Sequence, residues 1–465
     1  MPVVPRSDDG LTALLDPQVL DGYRGATGRV ATRLGGRTLW HINSTAEGGG
    51  VAELLRSCLG YLRDRGIDTR WLVFEGDRPF FEITKRIHNR LHGDLGDGGP
   101  LGARERRTYE RISAHNLRVA IDHVRPGDVV VVHDPQPIGL VRGLAAHGAT
   151  VIWTCHVGVD TPNDVTRSVW DFLRPNLAAA SAYTFTRRAY VWDGLDKGRV
   201  GLIPPCIDAL SLKNIDLAPE RREAILHAAR LTEPTLRGRA TFVRSDGARA
   251  RVTNRADVFE ETVVPAGAQL VLQVSRWDRL KDPVGVLLGF AEAGAIDDAH
   301  LMLAGPAPSS VADDPEAERV LTEVLDAWDA LRPGIRERVH LACVPTADVE
   351  ENAVIVNALQ RRADVVVQKS LAEGFGLTVT EAMWKARPIV AAGVGGIRDQ
   401  IEDGTSGVLV DPRDTTAFAR AVVSLLHEPE RAAQMGAAAR ERVRDRYLAP
   451  AYLQAYLELI ERVTA

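Results

Sequence analysis

The chain is poor in sulfur, in net charge and in long apolar runs, and each shortage excludes something. Four of its 465 residues are cysteines (Cys58, Cys155, Cys206, Cys343), scattered singly. No spacing among them suits zinc, and a disulfide framework is not expected at this length, so reduced thiols in a cytoplasmic protein are the expectation. The net charge of −5 and pI near 6.2 leave no electrostatic footprint for nucleic acid. Arg-rich pieces such as Arg104-Glu-Arg-Arg107 are interleaved with acids and read as solvated helix faces. No stretch approaches the ~20 apolar residues of a membrane helix. Met1-Pro-Val-Val-Pro-Arg6 has no apolar core of signal-peptide length. One absence is chemical: no Asp-x-Asp triplet occurs. Such a pair lets carboxylates hold a divalent cation against a diphosphate. Without it, anion neutralisation by cationic side chains and helix dipoles is the expectation, with no metal site and no cofactor.

What is present is a repeated alternation of short β-branched runs with longer helical patterns. Candidate strands are 38–42, 68–74, 128–133, 150–154 and 182–185, then 270–274, 300–304, 340–343, 364–368, 388–392 and 407–410. Nearly continuous apolar strands separated by helices indicate parallel sheets covered on both faces. The pattern occurs twice, which predicts an α/β protein of two doubly wound, Rossmann-like domains. The seam is expected at Leu202-Ile-Pro-Pro-Cys-Ile-Asp208, where two prolines stiffen the chain. Residues 1–207 would form an acceptor-side domain and 208–446 a donor-binding domain, with a final helix in 447–465 crossing back to the first. Residues 1–36 are ambiguous, and 242–264 read as a small hairpin or an insertion.

Four constellations carry chemistry. Asn43-Ser-Thr-Ala-Glu-Gly48-Gly49-Gly50 follows the first strand. A strand, a glycine loop and a helix can cradle phosphate or sugar. The spacing is neither Gly-x-Gly-x-x-Gly nor a Walker loop, and no acid ends the second strand to hold a ribose, so a dinucleotide site is disfavoured. Ser275-Arg276-Trp-Asp-Arg-Leu-Lys281-Asp282 follows a strand of the second half. Its Arg276 and Lys281 can clamp a diphosphate, against the plainer reading of surface pairs with Asp278 and Asp282. In Glu373-Gly374-Phe375-Gly376-Leu377-Thr-Val-Thr-Glu381, a carboxylate stands at each end of a glycine-rich helix start. That arrangement suits an anion flanked by hydroxyl-rich rings. Finally, His133-Asp134-Pro-Gln136 and His156 follow adjacent strands of the first half. By topology they converge, with Asp134, Gln136 and His156 as ligand contacts.

These residues resemble the GT-B retaining glycosyltransferases of the family 4 type, through the Glu-x7-Glu spacing of Glu373 and Glu381 and the Arg/Lys element at Ser275–Lys281. The chain is most similar to the trehalose glycosyltransferring synthase branch. His41 to Leu54, Phe80 to Leu91, His133 to Pro137, Ile203 to Asp208 and Gln368 to Glu381 carry that likeness. The resemblance implies transfer of glucose from an NDP-glucose to free glucose, forming trehalose, with a nucleotide-sugar co-substrate and subunits paired as a homodimer. It implies that Arg276 and Lys281 hold the diphosphate and that Glu381 bonds the ribose. Glu373 and the backbone from Gly374 to Leu377 would hold the transferred sugar. Gly48, Gly49 and Gly50 would approach donor phosphate and acceptor, His156 the donor sugar, and Asp134, Gln136 and Asn43 the acceptor. Three alternatives stay open: a retaining trehalose phosphorylase, the same donor chemistry on another small acceptor, and a non-catalytic sugar-nucleotide sensor.

Overall fold

The computed structural model describes residues 1–46, 49–233, 238–292, 298–308 and 316–465. Gly48 of the glycine loop lies outside them. The chain divides into two compact units. The first comprises Met1–Asp208, Glu373–Phe375 and Arg446–Ala465; the second comprises Ala209–Ala372 and Gly376–Asp445.

The first unit is built on six parallel strands: β1 (Leu39–Asn43), β2 (Thr69–Val73), β3 (Val129–His133), β4 (Thr150–Cys155), β5 (Ala182–Phe185) and β6 (Val200–Leu202). Their order is β2-β1-β3-β4-β5-β6. Val129 to Val132 of β3 are wholly buried, because helices cover both faces of a parallel sheet and its central strands read as nearly continuous apolar runs. The order reverses between β1 and β3. Ligands of open α/β sheets bind at the carboxyl ends of strands flanking such a reversal. In this sheet those ends are Asn43 and His133.

The ambiguous residues before β1 form the helix Pro17–Leu34. Asp16 caps it by accepting the Gln18 N–H at 2.8 Å, Pro17 takes the first turn, and Gly35 closes it in the left-handed conformation. The helix Ala449–Val463 packs on it. Gly22 faces Ala449–Val463, and a Cβ there would need only the end of the Gln454 side chain to shift. The Ile207 N–H donates to the Tyr447 carbonyl at 2.9 Å, tying the return of the chain to the segment that follows β6.

The second unit has a seven-stranded sheet of β9 (Asp257–Phe259), β10 (Gln269–Val274), β11 (Ala299–Pro306), β12 (Val339–Val344), β13 (Val365–Gln368), β14 (Ile389–Ala392) and β15 (Val408–Val410). β7 (Thr241–Val243) and β8 (Arg249–Arg251) make a separate antiparallel hairpin. The sheet runs β15-β14-β13-β10-β11-β12-β9. All neighbours are parallel except β9 on β12. The polar segment before β10 therefore supplies both a hairpin and an antiparallel edge strand. The reversal falls between β10 and β13, and the Arg276 and Lys369 loops leave the carboxyl ends of those two strands. Among the described residues no helix is long and apolar enough to cross a membrane.

Sequence reasoning placed all of 208–446 in one domain. Packing instead groups Glu373–Phe375 with the first unit. The Tyr190 hydroxyl donates to the Glu373 carbonyl at 2.8 Å, and the Phe375 ring meets Tyr447 edge-on at 5.6 Å.

The C-terminal helix gives the first testable outcome. Leu457 is 1% exposed, and Leu457→Ala is expected to destabilise the first unit by about 2–5 kcal/mol. Urea unfolding monitored by circular dichroism checks this; an unchanged midpoint would contradict the burial.

Candidate functional site

In the first unit, three histidines climb one face of the sheet. His41 on β1 is level with Val131 of β3; two residues on, on the same face, stands His133. His133 is level with Thr154 of β4, and two residues on stands His156. The pairs are in contact. His41 Nδ1 lies 3.0 Å from His133 Nε2, and His133 Nδ1 lies 3.4 Å from His156 Nε2, with the rings stacked. Burial pushes the His41 imidazole down to about 3 and holds those of His133 and His156 below the usual histidine range. All three are therefore neutral near pH 7.

Asp134 adopts φ 65°, a left-handed conformation that Asp tolerates at a cost of about 1–2 kcal/mol. That bend turns its carboxylate back onto the chain, where it accepts the His156 N–H at 2.8 Å. Burial raises its pKa, opposed by His156. Gln136 presents a buried Oε1 with no hydrogen-bond partner among the described residues. Its carbonyl accepts from the Tyr109 hydroxyl at 3.1 Å. The Asn43 side chain is engaged within its own region, donating to the Thr45 carbonyl and accepting from the Trp71 indole, each at 2.6 Å. It thus fixes the start of the glycine loop. Gly49 is extended at φ −134° and caps the helix Gly50–Asp64, and a Cβ there would meet Thr45 at ordinary contact distance. A positive φ is not the reason for this glycine.

Glu373 and Gly374 join this cluster. Glu373 is 8% exposed. A Cβ on Gly374 would come within 2.4 Å of the His156 carbonyl oxygen, a contact real side chains do not make. Gly374 is therefore required for backbone to pass against backbone beside His156.

In the second unit, the loops leaving β10 and β13 are tied together. The Leu371 N–H donates to the Leu280 carbonyl at 2.8 Å, and Lys369 makes an ion pair with Asp282. Asp278 is buried and caps the short turn Arg279–Lys281 by accepting the Leu280 N–H at 2.8 Å. Arg276 approaches Asp278 at 3.3 Å, and the Lys281 carbonyl accepts from Gln273 at 3.0 Å. Gly376, at φ 90°, turns the chain into the helix Leu377–Trp384, a conformation that favours glycine. Glu381 is 1% exposed, which excludes a solvated helix acid. Lys213 contacts its Oε1 at 2.8 Å and Gln360 its Oε2 at 3.3 Å. Among the described residues no group of three or more His, Cys, Asp or Glu side chains is arranged to hold a metal ion.

Sequence reasoning missed Lys213, Gln360, Lys369, His41 and Tyr190. A usable signal existed for His41. Histidines at matching alternate positions of strands that pair must share a face. Lys213 lies 168 residues from its partner Glu381, and no local pattern announces such a pairing.

Comparison with known proteins places this geometry. Residues 350–442 match the model for glycosyl transferases group 1, and residues 41–192 match that for the trehalose synthase N-terminal domain. Trehalose synthase of Pyrococcus horikoshii is 35% identical, over 92% of this chain and 91% of its own. That of Rubrobacter xylanophilus is 36% identical, over 93% and 92%. Trehalose phosphorylase of Pleurotus pulmonarius is 23% identical over 87% of this chain but 54% of its own. Among solved structures, an α,α-trehalose-phosphate synthase (UDP-forming) from Burkholderia vietnamiensis superimposes with a TM-score of 0.65 at 15% identity, over 91% of this chain and all of that one. Anabaena HepE in complex with UDP and glucose gives 0.62 at 14%, over 92% and all of that chain. The protein is a glycosyltransferase of GT-B fold. Within that class, the chain belongs to the trehalose synthase family.

Two outcomes follow. Gly374→Ala is expected to displace the backbone beside His156, lowering turnover at least tenfold and destabilising the fold by about 1–3 kcal/mol; paired activity and denaturation assays read both. The second concerns acid. His41 binds its proton with a pKa of about 3 when folded and about 6.5 when unfolded. Between those values the unfolded state holds the extra proton, so stability falls as pH drops from 6.5 toward 3. The slope from His41 is up to about 1.4 kcal/mol per pH unit, steepened by His133 and His156. Urea midpoints at pH 7.5, 6 and 5 should decline in that order, and His41→Gln should flatten the series.

Proposed function

We propose that the chain is a retaining glycosyltransferase that moves glucose from an NDP-glucose to free glucose, forming the α,α-1,1 linkage of trehalose without a metal ion. The observation that carries this reading is the second unit's switch point. Its Arg276 and Lys281 loop, the glycine-turned helix start at Gly376 and the buried carboxylate of Glu381 follow β10 and β13, where an open α/β sheet binds its ligand. There a diphosphate would meet the two cations and the helix N-terminus, and ribose hydroxyls the carboxylate of Glu381. The absence of Asp-x-Asp supports neutralisation by these cations.

In this reading Arg276 and Lys281 stabilise the charge that grows on the leaving diphosphate as the C1–O bond breaks through an oxocarbenium-like transition state. Glu381 accepts from the ribose, and Glu373 with the backbone from Gly374 to Leu377 takes sugar hydroxyls. His156 contacts the donor glucose. Asp134, Gln136 and Asn43 take the acceptor glucose, Asn43 while its side chain also holds the Thr45 carbonyl. The acceptor hydroxyl attacks from the face the diphosphate leaves, and a phosphate oxygen receives its proton. No protein nucleophile is needed. Several relatives are named trehalose synthase and align over nearly their full length, which favours this reading over the phosphorylase.

The deciding experiment incubates the protein with UDP-, ADP- or GDP-glucose plus glucose, with and without EDTA, beside trehalose plus inorganic phosphate. Trehalose and free NDP are expected, undiminished by EDTA. Arg276→Ala and Lys281→Ala should each lower kcat about 10²–10³-fold with folding intact. Phosphate-dependent cleavage without nucleotide turnover would replace the synthase by the phosphorylase, and wild-type turnover in either variant would remove the clamp.

A further inference from the structure

His41 is 6% exposed, and its Nε2 finds no hydrogen-bond partner among the described residues. Its Nδ1 faces His133, and His133 in turn faces His156. Each neutral imidazole carries one N–H, so two such contacts in line admit two polarities. In one, His156 Nε2–H donates to His133 and His133 donates to His41. His41 then carries its proton on Nε2, leaving a buried N–H without an acceptor. In the other, His41 Nδ1–H donates to His133 Nε2, and His133 Nδ1–H donates to His156 Nε2. His41 Nε2 is then a bare lone pair. Buried unpaired donors are rarer than under-used acceptors, so the second polarity is the lower in free energy. We infer that His41 and His133 form a one-way hydrogen-bond chain that holds His156 as its Nδ1–H tautomer, so that His156 offers the sugar a donor rather than an acceptor. This rests on the reading that His156 meets substrate. It adds two positioning residues and a direction to that contact.

The surroundings agree. All three rings are kept neutral by burial, as a chain of single N–H donors requires. Asp134, the carboxylate beside His156, accepts from its backbone N–H. The alignment also needs the sheet. Three successive strands in register, with a histidine two residues further along each, bring the Nδ1 of one ring to the Nε2 of the next.

The test labels histidine with ¹⁵N in the full-length protein and records long-range ¹H–¹⁵N spectra without substrate, assigning His156 through His156→Gln. The expected wild-type signature is a protonated Nδ1 and a bare Nε2. His133→Leu, which keeps the bulk but not the donor, should shift His156 toward a mixture of tautomers and lower kcat about tenfold or more, with KM changed less than about threefold. His133→Asn places an amide nitrogen where Nδ1 lay, and should restore the signature and most of the lost kcat. A wild-type His156 protonated on Nε2 overturns the polarity. An unaltered His156 spectrum in His133→Leu overturns the chain. Should His133→Leu fail to fold, the wild-type spectrum still decides. The expected signature in a protein that makes no disaccharide leaves the chain standing and removes the proposed function instead.

Discussion

A carboxylate buried to 1% exposure needs partners to replace water, and Glu381 has Lys213 at 2.8 Å. Much of the second unit's site is organised around that pair. Separating buried partners leaves an uncompensated charge worth about 3–5 kcal/mol, so the helix Leu377–Trp384 is bound to the segment that carries Lys213. The same segment takes the C-terminal end of the helix: Lys385 reaches the Asn214 side chain at 2.9 Å and the Trp384 indole its carbonyl at 3.2 Å. With its C-terminal half tied at three residues, the direction of this two-turn helix is set, and Gly376, at φ 90°, turns the chain into it.

The first unit solves its ordering problem with neutral groups. Its three aligned histidines are too deeply buried to charge, and they replace an ion pair by shared hydrogen bonds. Asp134 accepts backbone strain at φ 65° so that its carboxylate can hold the main chain of His156. Gly374 lies against the carbonyl of that same residue. His156 is thus constrained through its ring, its N–H and its carbonyl. A residue so constrained loses little further freedom when it binds, which is the physical content of preorganisation.

The sheets were largely legible in the sequence because parallel strands buried on both faces admit few residue types. The run Val129 to Val132 can hardly be anything else. The glycine-flanked glutamates were legible because helix entry and charge are local properties. The hairpin was legible only as one of two readings of 242–264, and the edge strand β9 was not legible, since short exposed strands alternate weakly and carry polar residues such as Asp257 and Arg249. The helix Pro17–Leu34 announced itself through Asp16, Pro17 and Gly35, but a polar mean composition hid its buried stripe. Lys213 and Lys369 escaped because an ion pair over a long sequence separation leaves no local trace. Glu373–Phe375 were assigned by continuity, whereas packing follows contact.

The two lysines also bear on how a diphosphate could be neutralised here. The Arg276 loop carries two acids, Asp278 and Asp282, that by charge alone would oppose an anion. Each is instead put to use. Asp278 caps the turn that presents Lys281, and Asp282 pairs with Lys369 from the neighbouring loop. The acids thereby become the scaffold that fixes the cations, at the cost of importing Lys369 to balance Asp282. A divalent metal would bring its charge with the ligand and need carboxylates to catch it. In the proposed clamp the carboxylates hold the turn and Lys369 instead, and the positive charge would be in place before any anion arrives.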